Sequence, residues 1–483
     1  MALSAQRYAE LEAVFYPRSI AVVGATGDRR KIGYGYMYSI YSANYQGKLY
    51  PVNPRAEPVL GLPGYASLLD IPGPVDYAIV CIPASNVLAL LRDCAAKGVK
   101  AVQFFTAGFR ELGTEEGRRL EGEVVKAARQ GGFHIIGPNC IGVYSPEIRF
   151  PYGVTGLVGE VGPVAVISQS GGHADSILEL GMRMGVRFNK IVSYGNGSDL
   201  DSPDYLEYLG DDPRTQYVGA YIEGVRNGRR FVEVARALTR HKPLVVWKGG
   251  LTAAGAKQAS SHTGSLASPE VLWAGALRQA KAIQVMTMED LDDTLLGFQQ
   301  LGEFTGTRLA VITGMTGGGG GQSVSSADAC SRAGFELPPL APSTYARLSE
   351  VVPPVGSILR NPLDISGIGT DLRVVMGCLE AIASDPAVDA VMVHHRIYRS
   401  HSQLRPEDFR TMNDSLASFR RRTGKPLVLV SNAGVMDTDV ERRAVEDELV
   451  SAGLPVFHTF ERAAQAVKRV GHYYRNIYNR NHD

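Results

Sequence analysis

Short apolar runs rich in β-branched residues alternate with helical patterns along the whole chain. This alternation predicts parallel sheets with helices on both faces, that is, doubly wound α/β domains. The predicted strands of the first third are Ser19–Val23, Leu49–Val52, Asp76–Ile82, Ala101–Phe105 and His134–Ile136, with helices at Asn86–Lys97 and Thr114–Gln130.

Two further groups of strands follow, and each opens a new unit. They are predicted at Val164–Ile167, Ile191–Tyr194, Val218–Ile222 and Leu244–Trp247, and then at Arg308–Thr313, Ala390–His394 and Leu427–Val430. The length of 483 residues also favours about three domains. We therefore predict α/β domains over residues 1–145, 160–300 and 305–483, with the Gly- and Pro-rich segment 145–162 as a linker.

The second and third units resemble each other in sequence. VAVISQSGGHADSI parallels LAVITGMTGGGGGQSV, DDPRTQYVGAYIE parallels SDPAVDAVMVHHR, and KPLVVWKGG parallels KPLVLVSNAG, in the same order. Each time a strand leads into a Gly-rich turn that opens a helix, and two more strands follow. General α/β composition produces some such matches, but three in order favour an internal repeat.

Composition narrows the classes of function. The net charge is +1, so we expect no nucleic acid and no membrane surface as partner. The five cysteines form neither a CxxC pair nor a metal-ligand spacing, which indicates reduced thiols and no metal site. The N-terminal sequence lacks a signal-peptide pattern, and no apolar run reaches the roughly 20 residues of a membrane span. We therefore expect a cytoplasmic protein.

The Gly-rich turn Gly24–Tyr34 (GATGDRRKIGY) directly follows the first predicted strand. Backbone N–H groups and the helix dipole make such a turn a phosphate site, although tight packing alone also explains its glycines. After the second strand an NAD site usually carries a carboxylate, whereas this chain has Asn53, Pro54 and Arg55. A cation there favours a ligand with an extra phosphate, CoA or NADP, unless Arg55 is an ordinary surface charge.

Two more Gly-rich turns stand at equivalent places in the second and third units. They are SQSGG (Ser168–Gly172) and TGGGGGQS (Thr316–Ser323). Five consecutive glycines cost conformational entropy, and close approach of the backbone to an anion is the best reason for that cost; simple flexibility is the alternative. Neither turn matches GxxxxGK[ST], so neither predicts a Walker-type nucleotide site.

Two side chains are candidates for the chemistry itself. His262 lies in SSHTGSLA, among small residues typical of a loop that exposes the ring, and neutral imidazole is a competent nucleophile toward phosphoryl groups. Glu223 follows a predicted strand at its carboxyl end, where open α/β sheets place their sites, and a carboxylate there can orient an imidazole. A histidine with no role and a surface glutamate that caps the next element are the plain alternatives.

Together these residues resemble the ADP-forming acyl-CoA synthetases, the superfamily that includes succinyl-CoA synthetase. The resemblance covers nearly the whole chain and implies a Rossmann-like CoA-binding domain followed by two flavodoxin-like, succinyl-CoA synthetase-like domains. It rests on SIAVVGATGDRRKIGY, YPVNPR, IPAS, TAGFRE and GPNCIGV in the first domain, on ISQSGG, YGNGSDLDSPDYLEYLGDDPRTQYVGAYIEG, KPLVVWKGG and SHTGSLA in the second, and on the Gly-rich turn and NPLDI in the third.

The resemblance implies a role for each matched position. His262 corresponds to the histidine that is transiently phosphorylated, and Glu223 to the glutamate that orients it. The phosphate on that histidine is expected at two helix N-termini, one formed by Ser168, Gln169, Ser170, Gly171 and Gly172 and the other by Gly317, Gly318, Gly319 and Gly320. The CoA site is expected at Gly24, Thr26, Gly27, Asn53, Arg55, Ile82, Pro83, Thr106, Asn139 and Cys140.

The implied reaction joins a small carboxylic acid to CoA through a phosphohistidine and an acyl phosphate, with conversion of ATP to ADP. None of the three predicted domains resembles an ATP-grasp domain, so a separate β subunit is expected to hold ATP and Mg²⁺, by analogy in an α2β2 assembly. A CoA- or acyl-CoA-sensing protein without turnover is the alternative, and an NADP-dependent oxidoreductase is a weaker one.

Overall fold

The computed structural model describes residues 3–263, 269–315, 320–353, 357–366, 368–395, 405–431, 439–454 and 456–479. The chain divides into two units. The first comprises Met1–Glu179 and Arg187–Leu291, and the second comprises Leu180–Val186 and Asp292–Asp483. Within the described ranges, no helix combines the length and the apolar character that crossing a membrane requires. All five cysteines are unpaired.

The first sheet of the first unit is parallel, with strand order β2-β1-β3-β4-β5. Its strands are β1 (Ser19–Val23), β2 (Lys48–Val52), β3 (Tyr77–Val80), β4 (Ala101–Phe104) and β5 (His134–Ile136), and its helices are α1 (Ala5–Phe15), α2 (Ile32–Ser42), α3 (Val87–Lys97) and α4 (Glu115–Gly131). Every residue of β1, β3 and β4 is buried, because helices cover both faces. The five strands predicted from the sequence are therefore confirmed.

The second sheet of the first unit has the order β11-β10-β9-β7-β8-β6. Its strands are β6 (Val143–Tyr144), β7 (Val164–Ser168), β8 (Phe188–Ser193), β9 (Tyr217–Ile222), β10 (Leu244–Lys248) and β11 (Ile283–Val285), and its helices are α5 (Gly171–Met184), α6 (Ser202–Asp211), α7 (Gly228–Leu238), α8 (Ala253–Thr263) and α9 (Glu270–Gln279). Strand β6 pairs antiparallel with β8. Since β6 directly follows the first sheet along the chain, it fastens the two sheets together.

The second unit holds one parallel sheet in its described part, with the order β13-β12-β14-β15-β16. Its strands are β12 (Leu309–Met315), β13 (Leu363–Asp364), β14 (Ala390–His395), β15 (Leu427–Val430) and β16 (Val456–Phe457). The helices, beginning at the boundary between the units, are α10 (Met288–Leu301), α11 (Gly320–Ala333), α12 (Pro342–Val351), α13 (Leu372–Ala383), α14 (Pro406–Thr423), α15 (Asp439–Ser451) and α16 (Phe460–Tyr473).

The three sheets repeat one topology. In each of them the parallel strands, numbered within the sheet, run 2-1-3-4-5, which is the flavodoxin-like order. The order reverses at the first strand, and ligands of open α/β sheets bind outside the carboxyl ends of the strands at that point. Each of the three Gly-rich turns follows such a first strand, β1, β7 or β12. The fold therefore places the first two turns, and the described residues on either side of the third, where a ligand site belongs.

Candidate functional site

The turn after β1 requires glycine for steric reasons. Gly24 has a φ of +96°, and a Cβ atom there would lie 2.7 Å from the carbonyl oxygen of Cys81. A Cβ on Gly33, in the first turn of α2, would lie 2.1 Å from the carbonyl oxygen of Gly24. A Cβ on Gly27 would have no atom within 4 Å. Helix α2 thus packs directly on the turn, while the turn remains open at Gly27.

In the segment after β2, Asn53 holds the backbone in place, whereas Arg55 is exposed. The side chain of buried Asn53 donates to the carbonyl oxygen of Glu57 and accepts from its amide, both at 2.9 Å. Arg55 is exposed, and its Nε lies 3.0 Å from a carboxylate oxygen of Glu57. Because an exposed ion pair contributes only about 0–1 kcal/mol, an anionic ligand can replace Glu57 as the partner of Arg55 at little cost.

A cavity of about 470 Å³ lies where the carboxyl ends of the first sheet meet the N-terminus of α5. Eight of the predicted site residues line it, namely Ile82, Thr106, Asn139, Cys140, Gln169, Ser170, Gly171 and Gly172. The remaining wall consists of Ile32, Cys81, Phe105, Ala107 and Ile141. Gly24, Thr26, Gly27, Asn53, Arg55 and Pro83 lie outside this lining. Four of the ten predicted CoA residues and most of the SQSGG turn therefore share one cavity.

Hydrogen bonds to backbone carbonyl oxygens fix the wall of the cavity near the predicted GPNC motif. The hydroxyl of Thr106 donates to the carbonyl oxygen of Ile82 at 2.7 Å, which joins the ends of β3 and β4. Asn139 has a φ of +57°, and its amide donates to the carbonyl oxygen of Thr106 at 3.1 Å. Burial raises the pKa of the Cys140 thiol, so this cysteine stays neutral and serves as wall rather than as nucleophile.

Side chains hold the SQSGG turn in shape. The hydroxyl of Ser168 donates to the carbonyl oxygen of Ser170 at 2.7 Å and accepts from its amide at 3.1 Å. The side-chain oxygen of Gln169 accepts from the amides of Glu223 and Gly224. The first N–H groups of a helix have no acceptor within it and carry the positive end of its dipole. The amides of Gly171 and Gly172, at the start of α5 in the cavity wall, are therefore suited to an anion.

Glu223 is a buried carboxylate beside a buried cation. Its side chain accepts from the hydroxyl of Tyr221 at 3.2 Å, and only 7% of the residue is exposed. Nζ of Lys248 donates to the carbonyl oxygen of Glu223 at 2.8 Å and lies 4.9 Å from the centre of the Trp273 ring. Burial lowers the pKa of Lys248 to about 8, although the charge of Glu223 opposes this shift. The alternative interpretation of Glu223 as a surface residue is therefore wrong.

The segment that carries His262 is helical, which corrects the prediction of a loop. Helix α8 spans Ala253–Thr263 and so includes the backbone of His262 in its last turn. The run AAGAKQA is rich in good helix formers, and the hydroxyl of Thr252 accepts from the amide of Gly255 at 3.1 Å, as an N-cap does. The side chain of His262 and residues 264–268 lie outside the described residues. Helix α8 contacts Arg110–Leu112, which follow β4 of the first sheet.

Known proteins resemble this chain over most of its length. A family model for a CoA-binding domain matches residues 18–146, and one for a succinyl-CoA ligase-like flavodoxin domain matches residues 161–298. The acetate–CoA ligase [ADP-forming] I subunit alpha of Pyrococcus furiosus is 34% identical over 471 residues, which are 95% of this chain and 96% of that protein. The chain belongs to the family of ADP-forming acyl-CoA synthetases. Within that family it is of the α-subunit type.

Two further family members show how much of a synthetase the chain represents. Acetate–CoA ligase [ADP-forming] I of Archaeoglobus fulgidus is 36% identical over 96% of this chain, but the chain spans only 64% of that longer protein. The structure of acetyl-coenzyme A synthetase 1 from Ca. Korarchaeum cryptofilum, solved with phosphate and ADP, matches with a TM-score of 0.82 and 31% identity, and covers 96% of this chain and 97% of that one. CoA is the cofactor of this family, as the matched CoA-binding domain requires.

The equivalent turn of the second unit is described only at its ends. Gly320 begins α11, whereas Thr316, Gly317, Gly318 and Gly319 lie outside the described residues. Before the turn, the hydroxyl of Thr313 lies 2.6 Å from that of Ser323 on α11, so one side-chain hydrogen bond closes the base of the turn. The predicted phosphate role of the four glycines therefore stays a prediction.

Sequence reasoning missed two parts of this synthetase site. Lys248 ends β10 beside Glu223, and a single lysine before glycines gives no sequence signal of burial. Tyr152 lies in the predicted linker 145–162, yet it is fully buried and its hydroxyl donates to the carbonyl oxygen of Gly171 at 3.0 Å. The buried aromatic pair Phe150 and Tyr152 within a Gly- and Pro-rich stretch was the available signal that the linker is packed.

Proposed function

We propose that this chain is the CoA-binding, histidine-phosphorylated subunit of an ADP-forming acyl-CoA synthetase. The reaction converts a small carboxylic acid, ATP and CoA into acyl-CoA, ADP and phosphate. One observation carries the proposal: a single cavity joins the CoA-domain residues Thr106, Asn139 and Cys140 to the N-terminus of α5. A thiol held by the first group can therefore meet a phosphorylated group held by the second.

The chemistry needs two transfers at the start of α5. In the first, a phosphoryl group leaves a ring nitrogen of His262 for a carboxylate oxygen of the acid, so that a P–N bond breaks and a P–O bond forms. In the second, the thiol sulfur attacks the carbonyl carbon of this acyl phosphate, and phosphate leaves as the C–O bond breaks. The amides of Gly171 and Gly172 stabilise the negative charge of the phosphoryl group in both steps, as helix N-termini do.

Glu223 and Gln169 prepare the histidine for this role. By the family resemblance, Glu223 is assigned to orient His262, since a carboxylate that accepts from one ring N–H fixes the tautomer and stabilises the charged ring. Gln169 holds the backbone of Glu223 to the phosphate-binding turn through two amides. The phosphate site and the group that orients the histidine are therefore one rigid structure, with Gly24, Thr26, Gly27, Asn53, Arg55, Ile82 and Pro83 left to hold the remainder of CoA.

We assign ATP and Mg²⁺ to an ATP-grasp β subunit in an α2β2 assembly that works in the cytoplasm. The support is the Pyrococcus furiosus relative, which carries the name of a subunit alpha and matches this chain almost end to end. The longer Archaeoglobus fulgidus relative extends beyond this match, as expected if it carries the partner's part on the same chain. The Pyrococcus furiosus and Archaeoglobus fulgidus relatives are named for acetate, so short acids are the first substrates to test.

Phosphorylation of His262 from acyl-CoA and phosphate tests the proposal without the partner. The purified chain is incubated with acetyl-CoA or propionyl-CoA and phosphate, and its intact mass is measured at alkaline pH, where phosphohistidine persists. We expect a gain of one phosphoryl group that is absent in His262→Ala and strongly reduced in Glu223→Gln. A gain that survives in His262→Ala contradicts the assignment. CoA binding with no gain under any condition, including ATP and the partner, favours the acyl-CoA sensor instead.

A further inference from the structure

Three rings pack against one another at the carboxyl ends of β9 and β10, beside Glu223. The ring of Tyr221 on β9 stacks on the imidazole of His173, with 4.4 Å between the ring centres and 26° between the planes. The indole of Trp247, the neighbour of Tyr221 in β10, lies 4.6 Å from Tyr221 and 4.7 Å from His173. We call these three residues the ring cluster. Because His173 belongs to the first turn of α5, the cluster joins the start of that helix to the strand end at Glu223.

The hydroxyl of Tyr221 extends from the ring cluster to Glu223. It donates to Oε1 of Glu223 at 3.2 Å, and only 6% of Tyr221 is exposed. Burial, together with the charge of Glu223, raises the pKa of Tyr221, so the hydroxyl keeps its proton and remains a donor. A Cβ atom on Gly249 would lie 2.4 Å from the hydroxyl oxygen. This glycine therefore leaves the space that the hydroxyl occupies.

The backbone and the side chain of Glu223 are held by different groups. Gln169 accepts from the amide of Glu223, and Nζ of Lys248 donates to its carbonyl oxygen. Both bonds fix the backbone, but a glutamate side chain still turns about three bonds beyond it, each with its own rotamers. The bond from Tyr221 reaches the carboxylate itself. Tyr221 is therefore the member of this set that directs the carboxylate.

We propose that Tyr221 is a positioning residue for the phosphorylation of His262, and that it acts through Glu223. His173 and Trp247 hold its ring so that the hydroxyl reaches Oε1. A carboxylate has acceptor sites for several hydrogen bonds, so Glu223 can accept from Tyr221 and from an imidazole N–H at the same time. The inference rests on the proposed function for the role of Glu223 toward His262.

The ring cluster should affect phosphoryl transfer and leave the binding of acyl-CoA unchanged. None of its three residues lines the cavity that joins the CoA-domain residues to the start of α5. Loss of the hydroxyl should therefore lower the maximal rate of phosphorylation, whereas the acyl-CoA concentration that gives half of this rate should stay the same.

Tyr221→Phe tests the inference because it removes the hydroxyl and keeps the ring. The purified chain is mixed with phosphate and varied acetyl-CoA, and the phosphorylation of His262 is followed by intact mass. We expect a maximal rate about tenfold lower, as for the loss of a hydrogen bond to a charged group, with the half-saturating acetyl-CoA concentration within about twofold of the wild type.

The same substitution in the Glu223→Gln background separates positioning from a general structural role. If Tyr221 acts through the carboxylate, its hydroxyl should matter by less than about twofold once the carboxylate is gone, since coupled residues are not additive. A tenfold loss in both backgrounds would overturn the inference.

Substitution of His173 tests the support of the ring. His173→Ala removes the stacked partner of Tyr221 and should slow phosphorylation about threefold, the size expected for one aromatic contact. His173→Phe restores a flat ring and should return the rate to within about twofold of the wild type. Equal losses in both variants would contradict the proposed support, because the ring alone would not suffice.

Tyr208→Phe is the matched control, since the hydroxyl of Tyr208 also donates to a glutamate of the first unit, Glu12. It should phosphorylate at the wild-type rate, and urea unfolding shows that each variant is folded. A wild type that is phosphorylated, with a Tyr221→Phe variant that is equally fast, overturns the inference and leaves the proposed function intact. A wild type that is not phosphorylated at all, with or without the partner and ATP, contradicts the proposed function and the inference with it.

Discussion

The SQSGG turn after β7 and the glycine turn after β12 occupy the same place in sheets of the same strand order, but they are held in different ways. In the first unit, side chains cross-link the turn, with Ser168 bonded to Ser170 and Gln169 bonded to the strand end at Glu223. In the second unit, one hydroxyl pair, Thr313 and Ser323, closes the described base of the turn. Just before the second turn, the described backbone instead requires a glycine, Gly314.

Gly314 shows what this dependence means. It has a φ of +85°, and β12 changes register against β14 between Ile312 and Met315, as at a β-bulge. A Cβ atom on Gly314 would lie 2.4 Å from the amide nitrogen of Ser366. The described residues beside the two turns are thus fixed either by specified side chains or by a glycine at which a side chain would clash, and the two solutions should fail under different substitutions.

The largest effect is expected for Gly314→Ala. The substitution adds left-handed backbone strain, about 1–3 kcal/mol, to a clash with backbone that a neighbouring side chain cannot relieve. We expect the second unit to lose at least about 3 kcal/mol of unfolding free energy. Hydrogen exchange of peptides from β12 and α11 measures the loss. Gly321→Ala, which has open space around the added atom, is the control, and an equal loss there would contradict the steric argument.

Gln169→Leu is the corresponding test of the first turn. The substitution leaves the amides of Glu223 and Gly224 buried without their acceptor, which should cost about 2–3 kcal/mol of unfolding free energy. Phosphorylation of His262 should also fall, because the backbone of Glu223 is no longer held to the turn. Both tryptophans, Trp247 and Trp273, lie in the first unit, so urea unfolding followed by tryptophan fluorescence reports on it. Unchanged stability with full phosphorylation would show that Gln169 is dispensable.

The comparison also shows what the sequence could and could not predict. The strands and Gly-rich turns were predictable, because continuous apolar runs and glycine-rich breaks are local signals. The position of Glu223 at a strand end was predictable for the same reason. Its burial was not, since that depends on Tyr221 and Lys248 from neighbouring positions in the sheet.

Two errors have a common physical cause. The segment around His262 was predicted as a loop because its residues are small and polar, yet the alanine-rich run before it forms helix α8. The segment 145–162 was predicted as a linker because of its glycines and prolines, yet Phe150 and Tyr152 pack inside the first unit. In both cases composition was weighed over particular residues, and the buried Tyr152 that bonds to Gly171 was overlooked.

A matched pair of alanine substitutions sharpens the comparison at the helix starts. A Cβ atom on Gly171 would lie 2.7 Å from the side chain of Ile141, whereas one on Gly320 would meet its nearest atom, of Asp364, at 3.7 Å. Gly171→Ala should cost about 1–2 kcal/mol through overpacking against Ile141. Gly320→Ala should stay within about 0.5 kcal/mol of the wild type. Urea unfolding measures the loss of stability in Gly171→Ala, and hydrogen exchange of α11 measures that in Gly320→Ala. Equal losses would contradict the steric difference between the two helix starts.

The smallest effect concerns pH, and it should be confined to the first unit, where the ionisable side chains of Glu223 and Lys248 lie close together. Burial lowers the pKa of Lys248 to about 8, whereas an unfolded lysine titrates near 10.4. Between these values the unfolded chain binds more protons, so the stability of the first unit should rise with pH from about 8 to about 10. Because solvent screens part of the interaction, we expect about 1 kcal/mol.

Lys248→Met isolates this contribution, since other lysines titrate in both proteins. The unfolding free energy of each protein is measured in urea by tryptophan fluorescence at pH 7, 8, 9 and 10. The value for the wild type minus that for the variant should rise above about pH 8. The described base of the second turn rests on Thr313 and Ser323, neither of which titrates in this range. Hydrogen exchange of α11, corrected for its intrinsic pH dependence, should therefore show no such difference between the two proteins. A flat difference in the first unit would mean that Lys248 remains charged throughout and holds the carbonyl groups around Glu223 as a permanent cation.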